Sequence, residues 1–277
     1  MEAENLQLSL DAVSGSGHGL SPEQSAALRT SLLLLRRDMQ LARVWLWGKI
    51  LGVRGDYYIA QGVAGGEQLR ARKAFYSLNC MDWCLLPPAT NDLIAQAHVV
   101  TGRFIGDPSH EYEHVTQKKV DEGDAAYSEE VTTNIKEESR LVATIAMIDK
   151  EAAVVPRGAF VKNPVGEVQI NHCFRGLAVN EAKKFSSYFH FTPTLNPTNK
   201  SLLEQADLNP ALDFLNSLEH DVPKGSWSLQ FEQGGSVLIL RSLLWLGMTF
   251  YHLPLTPQHG YIYIGNGERN IDLPFMI

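Results

Sequence analysis

Between Gly225 and Gly265 glycines cut the chain into four apolar runs that lie too close together for anything longer than a turn to join them. Trp227, Leu229 and Phe231 occupy alternate positions with Ser226, Ser228, Gln230 and Glu232 between them, the period-2 pattern of a strand with one buried face. Val237-Leu238-Ile239-Leu240 is apolar at every position, which fits a strand covered on both faces in the middle of a sheet. Gly234-Gly235, Gly247 and Gly260 separate these runs from Thr249-Phe250-Tyr251-His252 and Tyr261-Ile262-Tyr263-Ile264. Connections this short join antiparallel neighbours, because a parallel return needs a long crossover. The spacing predicts a four-stranded antiparallel meander over residues 225–268.

The rest of the chain reads as shorter elements. Residues 1–13 carry Leu6, Leu8 and Leu10 among polar neighbours, a pattern open between strand and helix. Ser21-Pro22-Glu23-Gln24 places a cap, a Pro at the first helical position and a Gln three residues past the cap. It predicts a helix from about Pro22 to Met39 with its leucines inward. Arg43 to Leu51 and Asp56 to Gln61 are aromatic and β-branched runs around a glycine turn, expected as a hairpin. Lys73 to Cys80 adds a third strand, with a fourth through Trp83 that Pro87-Pro88 ends. Thr90 caps a short helix through Val99. Residues 101–130, dense in charge and poor in aliphatics, are expected to form an exposed, mobile polar excursion. From Thr133 to Lys150 an amphipathic helix is expected, with Leu141, Val142, Ile145 and Ile148 inward and Lys136, Glu137 and Arg140 opposite. Asn180 to Phe189 repeats that pattern, and Asn209-Pro210 caps a further helix carrying Leu212, Leu215 and Leu218. The expected fold class is α+β: antiparallel sheets, one around the N-terminal hairpin and one the C-terminal meander, packed with several short amphipathic helices. No linker-like composition divides the two sheet regions, so a single domain over residues 1–277 is expected.

Composition narrows the function. The chain is 277 residues long and 44% hydrophobic, which supports a sizeable core, and its formal net charge of −7 offers no basic field for a phosphate backbone. Nucleic acid is set aside as a partner. Cys80, Cys84 and Cys173 make an odd count in a chain too large to need stapling, which fits reduced thiols in the cytosol. The acidic start lacks the features of a signal peptide, and no apolar run is long enough to span a membrane.

His110-Glu111-Tyr112-Glu113-His114 satisfies the zinc-hydrolase pattern H-E-x-x-H. On a helix it would put both imidazoles on one face and Glu111 beside a zinc-bound water. The stretch is polar throughout and has no assignable third ligand, so the solvated-loop reading is preferred and no metal or cofactor is expected. Cys80 and Cys84 lack a second pair at zinc-finger spacing, and the glycines from Gly62 to Gly66 have no Lys-Ser/Thr after them to meet a phosphate. All five tryptophans lie in or beside predicted strands. Trp45 and Trp47, two apart, turn Leu46 to the other face, where it is an exposed or interfacial aliphatic. Leu46, with Arg241, Trp245, Tyr261 and Tyr263 on the meander, forms the set of interface candidates, weighed against plain burial by the chain's own helices. The open edge of the meander is a second candidate for contact.

The strings Gly225-Ser-Trp-Ser-Leu-Gln230, Leu240-Arg-Ser-Leu-Leu-Trp-x-Gly247 and Tyr261-Ile-Tyr-Ile-Gly265 resemble the C-terminal signature of the radial spoke head proteins of motile cilia. Asp56 to Gly62, Ser77 to Cys80, Leu86 to Ala89, Gly106 to Ser109, Val155 to Gly158 and Leu273 to Met276 extend the likeness over nearly the whole chain. One departure is Trp245-Leu246-Gly247, where the family pattern has Trp-Pro-Gly. The glycine remains for the positive-φ position, so the turn is expected to survive. The resemblance implies a non-enzymatic structural subunit of the radial spoke head in the axoneme. It would be held in a hetero-oligomer with larger related head subunits and a repeat-containing head subunit, relaying central-pair signals to dynein. Two alternatives stand beside it: a zinc-dependent hydrolase using His110, Glu111 and His114, and a cytosolic adaptor unrelated to cilia.

Overall fold

The computed structural model describes residues 1–17, 19–65, 72–122, 125–163, 166–192 and 213–276. The chain opens with α1 (Leu6–Val13) and α2 (Pro22–Asp38). The start of α2 is the expected reciprocal cap: Gln24 N–H donates to Ser21 Oγ at 3.2 Å, and Ser21 N–H donates to Gln24 Oε1 at 3.1 Å. Strands β1 (Leu41–Ile50), β2 (Tyr57–Ala64), β3 (Lys73–Ser77) and β4 (Cys84–Leu85) follow, then α3 (Asn91–Ala97), capped by Thr90. A long ribbon of β5 (Glu111–Glu122) and β6 (Ala125–Lys136) leads directly into α4 (Glu137–Ala152). Short elements come next: β7 (Val155–Pro156), β8 (Phe160–Lys162), β9 (Val168–Ile170), α5 (Val179–Ala182), β10 (Tyr188–Phe191) and β11 (Leu215–Ser217). The meander is β12 (Trp227–Glu232), β13 (Val237–Ser242), β14 (Met248–His252) and β15 (His259–Gly265), and α6 (Leu273–Met276) follows it.

The meander and the N-terminal strands form one eight-stranded sheet in the order β12-β13-β14-β15-β1-β2-β3-β4. Every pairing is antiparallel except the central one, where β1 and β15 run parallel with Gly48 opposite Tyr263. Gly48 makes that junction possible. Its φ is 151°, and a Cβ there would sit 2.0 Å from the Tyr263 carbonyl oxygen, so no larger residue fits without parting the two strands.

Both faces of the sheet are covered. On one side Leu28, Leu32 and Leu35 of α2 and Leu6 of α1 pack with Leu46, Tyr58, Ile239, Tyr251 and Ile262. On the other, Leu141, Val142, Ile145 and Ile148 of α4 pack with Trp47, Tyr57, Leu240, Phe250 and Tyr263. This two-sided cover accounts for the unbroken apolar run of β13. It also corrects the expectation for Leu46, which is 1% exposed under α1 and α2, its backbone bonded to Met1.

Several sequence expectations shift. Residues 101–130 take the form of an irregular stretch and the β5–β6 ribbon, which pairs from Glu111–Lys136 to Glu122–Ala125 as its own sheet. Residues 133–136, expected to open the helix, belong to β6. Phe189 lies in β10 and Leu215 in β11, not in helices, and β7, β10 and β11 make a small sheet. The cap expected at Asn209-Pro210 lies outside the described residues.

Candidate functional site

The polar chemistry of the interior is organised by α4. Its first residue, Glu137, is fully buried where the β5–β6 ribbon meets the body. Its Oε1 accepts from Tyr57 Oη at 2.6 Å, Gly106 N at 2.7 Å and Asp107 N at 3.1 Å. Its Oε2 accepts from Ile105 N at 2.9 Å and from Tyr112 Oη. Burial pushes the Glu137 pKa up, but the tyrosine and backbone donors outweigh it, so the carboxyl stays below the ordinary glutamate value and is ionised. The same contact, with desolvation first, pushes Tyr112 up to about 12. One turn on, the Arg140 guanidinium lies 4.3 Å over the Phe104 ring and 5.0 Å from the Tyr112 ring, and donates to Gly102 O. Both residues were expected on the outward side of the helix. They point inward because the Phe104–Asp107 segment and the ribbon cover that side of α4, and each charge has found its own donors or acceptor.

Further along α4, Asp149 accepts from Trp47 Nε1 at 2.7 Å, Gln61 Nε2 at 2.5 Å and Tyr261 Oη at 3.3 Å. Arg72 donates to Gln61 Oε1 at 3.1 Å and Tyr261 Oη at 2.9 Å, and lies 5.2 Å over the Trp45 ring. Burial raises the Asp149 pKa, and Arg72 and the three donors pull it back only in part. At the end of the helix Glu151 accepts from Trp245 Nε1 at 2.9 Å and Arg269 Nε at 3.0 Å. Three acids on one helix thus bind aromatic residues on β1, β2 and β15 and in the β13–β14 turn.

These contacts locate the interface candidates. Trp245 is 2% exposed and Tyr263 is buried, the latter's ring tilted at 42° to that of Trp47 with centroids 5.2 Å apart, and its hydroxyl accepting Gly267 N–H at 2.8 Å. Tyr261 is half-buried in the Arg72–Asp149 cluster. Arg241 is half-buried on β13, next to the edge strand β12, paired to Glu232 at 2.6 Å and donating to Gln230. With Leu46 buried as well, Arg241 and Tyr261 are the two members of the set that keep partial exposure.

Glu111 to His114 lie in β5, so the helical geometry of the H-E-x-x-H pattern is not formed. Residues four apart in a strand are separated by about 13 Å along it. Among the described residues no three His, Cys, Asp or Glu side chains gather in an arrangement that would hold a metal. His190 is buried with Nδ1 at 2.7 Å from Ala153 O and Nε2 at 3.0 Å from Asp221, which also accepts Trp227 Nε1 at 2.8 Å. Both ring nitrogens are engaged, so this histidine acts as a tie between β10 and the meander. Sequence reasoning missed it, since nothing near His190 announces Asp221 as a partner. A cleft of about 800 Å³ lies between α4 and β3–β4, walled by Leu85, Leu86, Pro88, Val142, Ile145 and Phe191.

The family model of radial spokehead-like proteins matches residues 1–165. Over its full length the chain is 67% identical to the Radial spoke head protein 9 homolog of Xenopus tropicalis and 57% identical to that of Homo sapiens, covering all of each. It is 56% identical to the Danio rerio protein of the same name, again over all of both chains. The chain belongs to the radial spokehead-like protein family.

Proposed function

We propose that this protein is a non-enzymatic structural subunit of the radial spoke head in the axoneme of motile cilia and flagella. The observation that carries the reading is full-length, end-to-end identity of 56–67% to proteins named Radial spoke head protein 9 homolog. The structure is consistent with a mechanical role. The acids of α4, of which Glu137 is fully buried, tie loop, ribbon and sheet together, and such multiply bonded carboxylates resist rearrangement. The chain works as a single unit in a hetero-oligomer with larger related head subunits and the repeat-containing head subunit. Its tasks there are assembly of the head and relay of central-pair contacts to dynein. Neither nucleic acid nor membrane is a partner, and no helix among the described residues is long and apolar enough to cross a bilayer. Co-expression with a larger spoke head subunit tests the partnership: a co-purifying complex of fixed stoichiometry is expected, and two separately eluting proteins would count against it.

A further inference from the structure

β12 is the outermost strand on one side of the eight-stranded sheet, and among the described residues no strand pairs with its outer side. The direction of its backbone groups follows from one bond. Leu243 N–H donates to Ser226 O at 2.8 Å, which makes Ser226–Leu243 a hydrogen-bonded pair of the antiparallel ladder. The register then continues without a shift from Trp227–Ser242 to Glu232–Val237. Ser228, Gln230 and Glu232 therefore turn their N–H and C=O groups to β13, and Trp227, Leu229 and Phe231 turn theirs away from it. The strand contains no Lys, Pro or bulge of the kind that blunts an exposed edge. Leu229 and Phe231, although they pack on the core side, are only half-buried.

We propose that this edge pairs antiparallel with the same edge of a second copy of the chain, about a two-fold axis at Leu229. The sequence of the strand is self-complementary in that register. Leu229 meets Leu229 of the second copy, Trp227 meets Phe231, and Ser228 meets Gln230. Every residue with outward backbone groups meets another of that kind, so about six main-chain hydrogen bonds close across the axis. The apolar side of the strand continues across it as cross-strand aromatic and aliphatic pairs. Glu232 is the strand's one charged residue. It falls opposite Ser226, with its charge already matched by Arg241 at 2.6 Å, so no like charges confront each other. A register slip of one residue, which would move the axis to a point between two residues, would pair outward groups with inward ones and is excluded by the ladder. This inference rests on the strand alone and does not depend on the ciliary reading.

The test is sedimentation equilibrium of the full chain combined with amide hydrogen exchange. Because one strand pair buries little area, a weak equilibrium is expected, moving from monomer towards dimer between about 1 and about 100 µM. Over that range exchange at Trp227, Leu229 and Phe231 should slow several-fold. Exchange at Ser228 and Gln230, already bonded to β13, should not change. Leu229→Pro removes an outward N–H at a position where an edge strand tolerates Pro, and should abolish the dimer. If that variant fails to fold, the exchange pattern of the unmodified chain decides. A monomer throughout, including one that forms this edge contact only with a different protein, or a dimer that leaves those three amides unprotected, would overturn the proposal.

Discussion

Tyr57 Oη donates to Glu137 Oε1 at 2.6 Å across 80 residues of sequence, joining the second strand of the sheet to the first residue of its covering helix. The same carboxylate takes three backbone N–H groups from the segment before the ribbon, as well as the Tyr112 hydroxyl. Glu137→Gln keeps the shape but puts an NH₂ group where donors converge. It should cost about 2–4 kcal/mol in urea unfolding, since buried hydrogen bonds to a charge are among the stronger ones. Because the folded pKa lies below the unfolded value, this stabilisation is present above about pH 4.5 and is lost as pH falls through the folded pKa. The Gln variant should show a correspondingly smaller loss of stability below pH 4.5.

Gly48→Ala should part the two halves of the sheet. The added methyl would lie 2.0 Å from Tyr263 O, and the backbone there has nowhere to move without breaking the β1–β15 pairing. A loss of about 3 kcal/mol or more is expected from the strain and the lost ladder bonds. Gly19→Ala, which meets nothing within 4 Å, is the control. Faster amide exchange at Lys49 and Tyr263 in the Gly48 variant is the local readout.

Trp227→Ala should cost about 3–5 kcal/mol, as for a buried aromatic, and abolish soluble expression. Trp227 is 9% exposed and also holds Asp221 through its indole N–H at 2.8 Å. Trp227→Phe keeps most of the packing and loses only that bond, so it should express and melt below the unmodified chain. Soluble Trp227→Ala protein with an unchanged melting temperature would contradict this role.

His252 is buried against Phe174 and Tyr188, and burial, followed by the neighbouring His259, pushes its pKa down to about 4. The fold holds it neutral, while in the unfolded chain it takes a proton below about pH 6.5. Its contribution is therefore present above pH 6.5 and is lost as pH falls towards 4, by up to about 3 kcal/mol. His252→Phe should flatten the dependence of stability on pH across that window, measured as urea midpoints at pH 7 and pH 5.

Much of the strand and helix order is legible in the residues. The cap of α2, the N-terminal hairpin and the meander all follow from short-range rules that need only neighbours a few positions apart. What those rules miss is long-range. Nothing in two apolar runs says that β1 and β15 are neighbours, and the one local hint is a glycine inside an otherwise apolar strand at Gly48. Leu46 reads as outward only if one face of the sheet is open, and α1 and α2 close it. Glu137 and Arg140 read as solvent-facing because an amphipathic pattern assigns charge to water. Their partners come from residues 57, 102, 104 to 107 and 112, which no helical periodicity brings to mind. The H-E-x-x-H pattern failed for the opposite reason: five residues matched a motif whose helical setting the surrounding strand does not provide.

The most direct test of the structural assignment is a pull-down of the tagged, full-length chain from extracts of multiciliated cells, with the co-purifying proteins quantified by mass spectrometry. The account predicts other radial spoke head subunits in amounts comparable to the bait. Recovery of the chain without any of them would contradict it.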